Sequence, residues 1–345
     1  MIKEDKNILN MFQEIVDMTL KNSKLKLFLS GSSVSIITSG VLNYKSPLYG
    51  RRTGSMNLNS VNFFDLNEFF PGLNIEELIQ IYGFADGIPF YLIKIKNNFW
   101  QYLEDEIKKE GSFLKDEVDF MMRYEFEDAS TYKLILEAIA NGKNRVNEIK
   151  DFIKVKRTDI SPYLKNLIEV KMVKRVVPIT ENIKSRQGRY YISDNFIRFW
   201  FRYIYPDLSA IEGKYFDTSI IRSNYNTYLG PVFEEVIKEY LIKERLNFFN
   251  FTKLGRWWYK DMEIDIVALN EKNKEILFVE CKWQKDIDCN KIVKDLAEKS
   301  KQVRWNNEER MEYFAVFAKS FSNKIEKYEG KRVYCIDIKD MEKNL

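Results

Sequence analysis

The sequence predicts an α/β multidomain fold, and three observations lead to this prediction. At 345 residues the chain is long enough for about two to four domains. Its hydrophobic fraction of 45% is ample for packed cores. Apolar residues at helical spacing in 7–20 and 131–140 contrast with two β-rich runs on either side of a polar turn at 270–274, which predict a β-hairpin.

The predicted hairpin carries the charged residues on which the functional interpretation depends. On its second strand, the side-chain period of two places Glu280 and Lys282 on one face. On its first strand, the same period places Asp265 on the face of Glu263 and opposite to Ile264. Charged groups on otherwise apolar strands are costly to bury unless they are paired or bound to a metal. The sequence therefore leaves two alternatives, a metal site or a buried salt bridge between Lys282 and the acids.

An acid on one strand followed by acid-x-Lys on the next resembles the core of the PD-(D/E)XK nucleases. Asp265 matches the first acid, and Glu280-Cys281-Lys282 matches the second element. The resemblance implies that Asp265, Glu280 and Lys282 are the catalytic residues of a phosphodiesterase that acts on DNA. It further implies that Lys282 orients a water molecule or stabilises charge on the phosphate, and that Mg²⁺ or Mn²⁺ is the cofactor.

That nuclease core usually carries a further Glu on a preceding helix. Residues 231–246 predict such a helix, opened by a proline whose missing N–H costs nothing at the first position. The apolar stripe of this helix places Glu234 at its edge and directs Glu235 to solvent. Because hard divalent cations prefer oxygen ligands, Glu234, Asp265 and Glu280 are the expected metal ligands.

Composition excludes several other kinds of chemistry. The chain contains no histidine, which excludes Ser-His-Asp and Cys-His triads, zincins and any histidine general base. Its three cysteines form no CxxC motif, which favours a reducing compartment and argues against a zinc site. The charged residues 1–6 have no apolar core after them, and no apolar run reaches about 18 residues. We therefore expect a cytoplasmic protein without a signal peptide or a membrane partner.

The charge of the chain is unevenly distributed. The net charge is only +4, but residues 143–189 contain 13 Lys and Arg against 5 Asp and Glu.

Three predicted helices and two strands around a basic loop fall in residues 129–205, which is the order of elements in a winged helix. In such domains the third helix contacts bases and the wing contacts phosphates. The expected contacts are Arg157, Thr158, Ser161 and Lys165 on the helix and Lys184, Arg186 and Arg189 on the wing. DNA is the expected partner; the alternative is a module that only packs against its neighbours.

The N-terminal part of the chain carries a second set of signals. The apolar run 25–29 predicts a buried parallel strand, and it ends in Ser30-Gly31-Ser32-Ser33. Arg51 and Arg52 lie in a glycine-bounded loop, where they either contact phosphate or form an ordinary solvated surface.

The order of motifs along essentially the whole chain resembles that of an archaeal AAA-type P-loop ATPase family. The matching motifs are Gly-Ser-Ser at 31–33, Tyr-Lys-Ser-Pro-Leu-Tyr-Gly-Arg-Arg-Thr-Gly at 44–54, Phe-Phe-Asp at 63–65, Glu-Phe-Phe-Pro at 68–71 and Gly-Arg-Trp-Trp at 255–258. The resemblance implies nucleotide-related roles for Ser32, Ser33, Arg51 and Arg52. It implies the C-terminal part of an ATPase core in 1–72, a helical lid in 73–128, a winged helix in 129–205 and a PD-(D/E)XK-like mixed sheet with flanking helices in 206–345.

One departure from that family bears on function. The sequence has no G-x-x-x-x-G-K-[ST] motif, so it has no P-loop cradle for phosphates. We expect ATP as a cofactor only if a P-loop-bearing segment completes the core. The expected protein partners are a separate subunit that carries the P-loop or, alternatively, further copies of this chain in a homo-oligomer. The chain is then interpreted as a nucleic-acid-binding protein with metal-dependent DNA nuclease activity. The alternatives are a non-catalytic DNA- or protein-binding regulator, or one part of a split ATPase.

Overall fold

The computed structural model describes residues 7–21, 23–31, 41–96, 98–154 and 159–343. The α-helices are α1 Asn7–Glu14, α2 Ile75–Ala85, α3 Pro89–Leu92, α4 Phe99–Lys108, α5 Phe113–Glu125, α6 Ser130–Ala140, α7 Val146–Phe152, α8 Ser161–Glu169, α9 Asn195–Phe199, α10 Leu208–Glu212, α11 Ser219–Lys243, α12 Cys289–Ser300 and α13 Ile338–Glu342. The strands are β1 Val173–Val176, β2 Arg189–Ile192, β3 Lys253–Tyr259, β4 Met262–Asn270, β5 Glu275–Lys282, β6 Ile287–Asp288, β7 Met311–Ala318, β8 Phe321–Asn323, β9 Lys327–Tyr328 and β10 Lys331–Asp337. The fold is therefore α/β, as the sequence predicts.

A six-stranded mixed sheet with the order β3-β4-β5-β7-β10-β9 forms the frame of the C-terminal half. The strands β3, β4 and β5 are antiparallel, and β5, β7 and β10 are parallel. Leu277 and Val279 belong to the apolar core that contains α11, whereas Phe278 and Val316 pack with α12. Both faces of the sheet are covered by helices, which explains why its central strands are almost continuously apolar.

The predicted hairpin is present as β4 and β5, but its first strand does not alternate as expected. Ile266 pairs with Val279 in a regular antiparallel ladder. The pairing of β3 with β4 shifts register between Gly255 and Trp257, which marks a bulge. As a result Ile264 packs on the α12 face of the sheet, and not on the face of Ile266.

The helix that was expected to begin at Pro231 begins twelve residues earlier, at Ser219. The first half of α11 contacts α2, where Tyr225 Oη donates a hydrogen bond to the Gln80 carbonyl at 2.7 Å. Buried tertiary contacts therefore extend the helix upstream and leave the proline in its interior. Residues 219–230 are therefore helical and belong to α11.

Three helices, α6 to α8, are followed by the small antiparallel sheet β1–β2, with the element order that the sequence predicts. The loop 177–188 between these two strands lies against β3, the edge strand of the large sheet. The Ile179 N–H donates to the Arg256 carbonyl at 2.8 Å, and Trp258 Nε1 donates to the Gln187 carbonyl at 3.1 Å. The small sheet is therefore held against the large one.

The prediction of a buried strand at 25–29 is wrong. Leu25 is 69% exposed and Phe28 is 84% exposed, and the segment has no regular secondary structure. Within the described residues up to 72 there is no strand with which it could pair. An apolar run alone does not form a strand without such a partner.

The cysteines also differ from the expectation of reduced thiols. Cys289 at the start of α12 forms a disulfide with Cys335 on β10, while Cys281 is free. The disulfide joins two elements that are 46 residues apart in the chain. Every helix in the described residues is too short or too polar to cross a membrane.

We predict that the disulfide protects two of the three thiols from alkylation. When the protein is purified without reductant, unfolded in urea and treated with iodoacetamide, mass spectrometry should show one modification, at Cys281. After reduction, all three cysteines should react, and the free energy of unfolding should fall by about 2–4 kcal/mol because the unfolded chain gains entropy. Three modifications without reductant would contradict the assignment.

Candidate active site

A cavity of about 910 Å³ lies where α11, the small sheet and the hairpin β4–β5 meet. Its lining is rich in charge and contains more acids than bases. The acids are Asp86, Glu234, Glu235, Glu239, Asp261, Glu263, Asp265 and Glu280, and the bases are Lys174, Arg198, Lys238, Arg256 and Lys299. All three predicted metal ligands therefore line one cavity.

Asp265 has a buried carboxyl in this cavity, and it forms no ion pair with any residue that the structure describes. The register that pairs Ile266 with Val279 leaves Asp265 beside Glu280 on the neighbouring strand. Asp265 Oδ2 accepts a hydrogen bond from the Cys281 N–H at 2.8 Å. Burial, followed by the nearby carboxylates of Glu234 and Glu280, raises the pKa of Asp265 well above its usual value. An ionised Asp265 is thus costly until a cation approaches it.

Glu280 is buried and is neutralised by two ammonium groups. Lys282 Nζ lies 2.8 Å from its Oε1, and Lys299 Nζ of α12 lies 3.1 Å from each of its oxygens. Lys282 lies next to Glu280, as the period of two along the strand predicts. The sequence pattern does not identify Lys299 as a site residue, because a lysine in the last turn of a helix reveals nothing about the strand that it will contact.

Glu234 is held away from the other acids by Arg256. The two side chains form an ion pair and are only 15% and 9% exposed. Within the described residues, no three Asp, Glu or Cys side chains are placed so that they could hold a metal ion together. The expected set of three carboxylate ligands is therefore not assembled, although both Glu234 and Glu280 lie close enough to Asp265 to raise its pKa.

Glu235 does not point to solvent, contrary to the helical-wheel expectation. Its Oε1 lies 3.1 Å from Lys238 Nζ, 3.5 Å from Lys174 Nζ and 3.8 Å from Arg256 Nη2. Burial acts to raise the pKa of Glu235, but these three cations lower it far below its usual value. The small sheet and β3 cover this side of α11, which a wheel drawn for an isolated helix could not show.

The expected nucleic-acid contacts on the wing fall into two groups. Lys184 and Arg186 are exposed. Arg189 is 5% exposed, its Nη1 lies 2.7 Å from Glu263 and its guanidinium lies over the Trp258 ring. The expectation that Arg189 contacts phosphate from the wing surface is not met, because β2 places it inside the contact with the large sheet.

Among the other expected contact residues, Ser161 donates to Asp159 at the start of α8, and Lys165 is exposed and lies 3.7 Å from Glu169. In the N-terminal loop, Arg51 forms an ion pair with Asp17. Arg52 is exposed. Four further expected site residues, namely Ser32, Ser33, Arg157 and Thr158, lie outside the described residues.

Comparison with known proteins identifies relatives of this chain. Residues 200–295 match the model of DUF234, described as archaea bacterial proteins of unknown function. The chain is 53% identical over 345 residues to the uncharacterized protein MJECL04 of Methanocaldococcus jannaschii, and the match covers 99% of this chain and 77% of that protein. A Walker-type ATPase of Pyrococcus abyssi is similar at 24% identity with a TM-score of 0.41, and the match spans 57% of each chain. The last likeness is too partial to define the activity.

We predict that Asp265→Asn stabilises the protein at neutral and alkaline pH. The folded-state pKa of Asp265 lies above its unfolded value, so the stability that its protonated form contributes is present below about pH 4 and is lost as the pH rises through the folded pKa. The amide still fits beside the Cys281 N–H and carries no charge. The variant should therefore be more stable than wild type by roughly 1 kcal/mol or more at pH 8, since each unit of pKa shift corresponds to about 1.4 kcal/mol.

The measurement is urea unfolding at pH 5 and pH 8. The control is Asp295→Asn, which removes an exposed carboxylate from α12 and should leave the pH dependence of wild type unchanged. If Asp265→Asn loses as much stability between these pH values as wild type, Asp265 is not the strained acid of the cavity.

Proposed function

The chain belongs to the family of the uncharacterized protein MJECL04 of Methanocaldococcus jannaschii, and we propose that it binds nucleic acid and hydrolyses phosphodiester bonds with a divalent metal ion. The observation that carries the proposal is the buried, raised-pKa carboxyl of Asp265 beside Glu280 in a charged cavity. Strongly perturbed carboxyls in clefts are typical of catalytic sites.

The chemistry of the donors fits Mg²⁺ or Mn²⁺ at this pair of acids. Asp265 accepts one backbone hydrogen bond and has no ion-pair partner among the residues that the structure describes. Its carboxylate and that of Glu280 are the hard oxygen ligands that these cations prefer. When bound, such a cation polarises a phosphate and makes a coordinated water more acidic.

Lys282 is suited to stabilise negative charge next to this pair. Burial lowers its pKa, but the Glu280 carboxylate more than compensates and raises it above the usual value. The ammonium therefore stays protonated at neutral pH. When Glu280 turns to another cation, Lys282 is free to donate to a phosphate oxygen, while Lys299 still holds Glu280 in place.

The part of the chain that we propose to bind DNA is the three-helix module with its small sheet. We interpret it as a winged helix, supported by the order α6, α7, α8, β1, β2 and by the basic excess of residues 143–189. Lys184 and Arg186 extend from the loop between β1 and β2, and Lys165 is exposed on α8. Exposed basic side chains of this kind bind phosphates with a strong dependence on salt.

A second candidate function is binding without catalysis. It is favoured by the ion pairs that neutralise Glu280 through Lys282 and Lys299, and Glu234 through Arg256. In that case the charged groups are structural, and the cavity serves only to bind a ligand. Nuclease assays separate the two candidates.

We predict that wild type nicks supercoiled plasmid DNA with Mg²⁺ or Mn²⁺ and that Asp265→Asn lowers the rate at least about 100-fold, which corresponds to about 2.7 kcal/mol. The variant keeps the shape of the side chain but loses the charged oxygen donor. Glu271→Gln, in the exposed turn of the same hairpin, is the control and should cleave like wild type. Absence of metal-dependent cleavage in wild type, at enzyme concentrations that bind DNA, would favour the non-catalytic candidate.

We predict that the double substitution of Lys184 and Arg186 to Glu weakens binding to duplex DNA at low salt. Loss of two phosphate contacts should reduce the slope of log affinity against log salt by up to about 1.8. The charge-matched control changes the exposed Lys291 and Lys294 of α12 to Glu. If the control and the wing variant lose affinity equally, net charge and not the wing determines binding.

A further inference from the structure

One face of the small sheet points basic and phenolic groups at α11. Lys174 and Tyr191 are directly opposite each other in the β1–β2 register, and Arg189 lies two residues from Tyr191 on the same face. Across from them, Lys174 approaches Glu235, and Arg256 lies over the Tyr191 ring at 5.0 Å. Strands β2 and β3, helix α11 and strand β1 thus converge on one place in the cavity wall.

Cations exceed carboxylates at this place. In this part of the wall, four cations, Lys174, Arg189, Lys238 and Arg256, face three carboxylates, Glu234, Glu235 and Glu263, whereas the lining of the whole cavity contains more acids than bases. Burial lowers the pKa of Lys238, and Arg256 and Lys174 lower it further, which is the expected result of crowding positive charges around Glu235. An additional anion would therefore be stabilised here.

Two hydrogen-bond donors at the same place are buried without a partner. Tyr191 Oη and Arg189 Nε make no hydrogen bond of good geometry among the described residues, although the Arg189 guanidinium lies close to the Tyr191 hydroxyl. A buried donor that stays unsatisfied costs about 1–3 kcal/mol, so most such groups in folded proteins find an acceptor. Tyr191 and Lys174 both line the cavity, so a ligand in the cavity can supply that acceptor.

We propose that these residues form a phosphate-binding cradle, defined by Lys174, Tyr191, Arg189, Lys238 and Arg256. A phosphate group matches the excess of positive charge and offers several acceptor oxygens to donors that approach from different elements. This inference rests on the proposed function, since the phosphate is taken to belong to a nucleic-acid strand. Because Asp265 lines the same cavity as Lys174, Tyr191, Lys238 and Arg256, a strand bound in the cradle passes the acids of the hairpin.

The sharpest test is Tyr191→Phe, with Tyr190→Phe as the matched control on the opposite face of β2. The change at Tyr191 removes only a hydroxyl whose neighbouring donor is the Arg189 guanidinium, so a purely structural role would affect stability but not the affinity for nucleic acid. The cradle predicts about fivefold or greater weakening of oligonucleotide binding, measured by fluorescence anisotropy in EDTA, with unchanged thermal stability. Working in EDTA keeps the result independent of any metal or cleavage.

Lys174→Gln supplies a second readout. Loss of one phosphate contact should reduce the slope of log affinity against log salt by about 0.9 for duplex DNA or about 0.7 for a single strand. Lys294→Gln, on the exposed face of α12, should leave the slope unchanged. Equal affinity and equal slopes in wild type, Tyr191→Phe and Lys174→Gln would overturn the cradle while leaving nucleic-acid binding intact.

A thermal-shift experiment with pyrophosphate tests the cradle independently of the proposal that the protein binds nucleic acid. Suppose that wild type binds no oligonucleotide but is stabilised by pyrophosphate, and that Tyr191→Phe is not stabilised. The cradle is then supported as a site for free phosphate compounds, and the nucleic-acid function is contradicted. If neither oligonucleotide nor pyrophosphate binds to wild type, both proposals are overturned.

Discussion

The buried guanidinium of Arg256 is the interaction on which the rest of the charged cavity depends. It forms an ion pair with Glu234 and lies within 4 Å of Glu235 and Glu263, while its own backbone carbonyl accepts the N–H of Ile179. One residue of β3 therefore joins α11, the hairpin and the loop of the small sheet. Without it, buried carboxylates would lose their counter-charge, a loss that commonly costs about 3–5 kcal/mol.

The position of Arg256 also divides the acids of the cavity into two kinds. Glu234 and Glu235 are engaged with cations from three different elements, and Glu280 is engaged with Lys282 and Lys299. Asp265, by contrast with these three acids, accepts a backbone N–H and forms no ion pair among the described residues. This asymmetry concentrates the capacity for a new cation on one side of the cavity and the capacity for an anion on the other. Under the proposed function, a phosphodiester with a bound metal ion would supply both charges.

Local patterns in the sequence were sufficient for the hairpin, for the placement of Glu280 and Lys282 on one face, and for the helices before the small sheet. These features depend on residues close together in the chain. Strand alternation failed at Ile264, because a bulge depends on how β3 pairs with β4. The start of α11 was missed because packing against α2, and not the proline signal, determines it.

Most of the cations of the site could not be found from the sequence, for a related reason. Lys174 and Lys299 come from elements that are far apart in the chain, and each resembles an ordinary surface residue when read alone. Arg256 belongs to the Gly-Arg-Trp-Trp motif, but the motif does not reveal which acids the arginine contacts. The apolar run 25–29 shows the opposite error, since its composition suits a buried strand but the described residues offer it no neighbouring strand. In each case a tertiary contact, and not a local preference, decides the outcome.

Calorimetric titration of Mn²⁺ into wild type and Asp265→Asn at pH 7.5, without DNA, tests the central claim most directly. The account predicts one binding event in wild type that is lost in Asp265→Asn, because the carboxyl that is strained by burial and by its acidic neighbours is the one that gains a cation. No binding in wild type, or equal binding in both proteins, would contradict it and leave the hairpin acids as structural partners of Lys282 and Lys299.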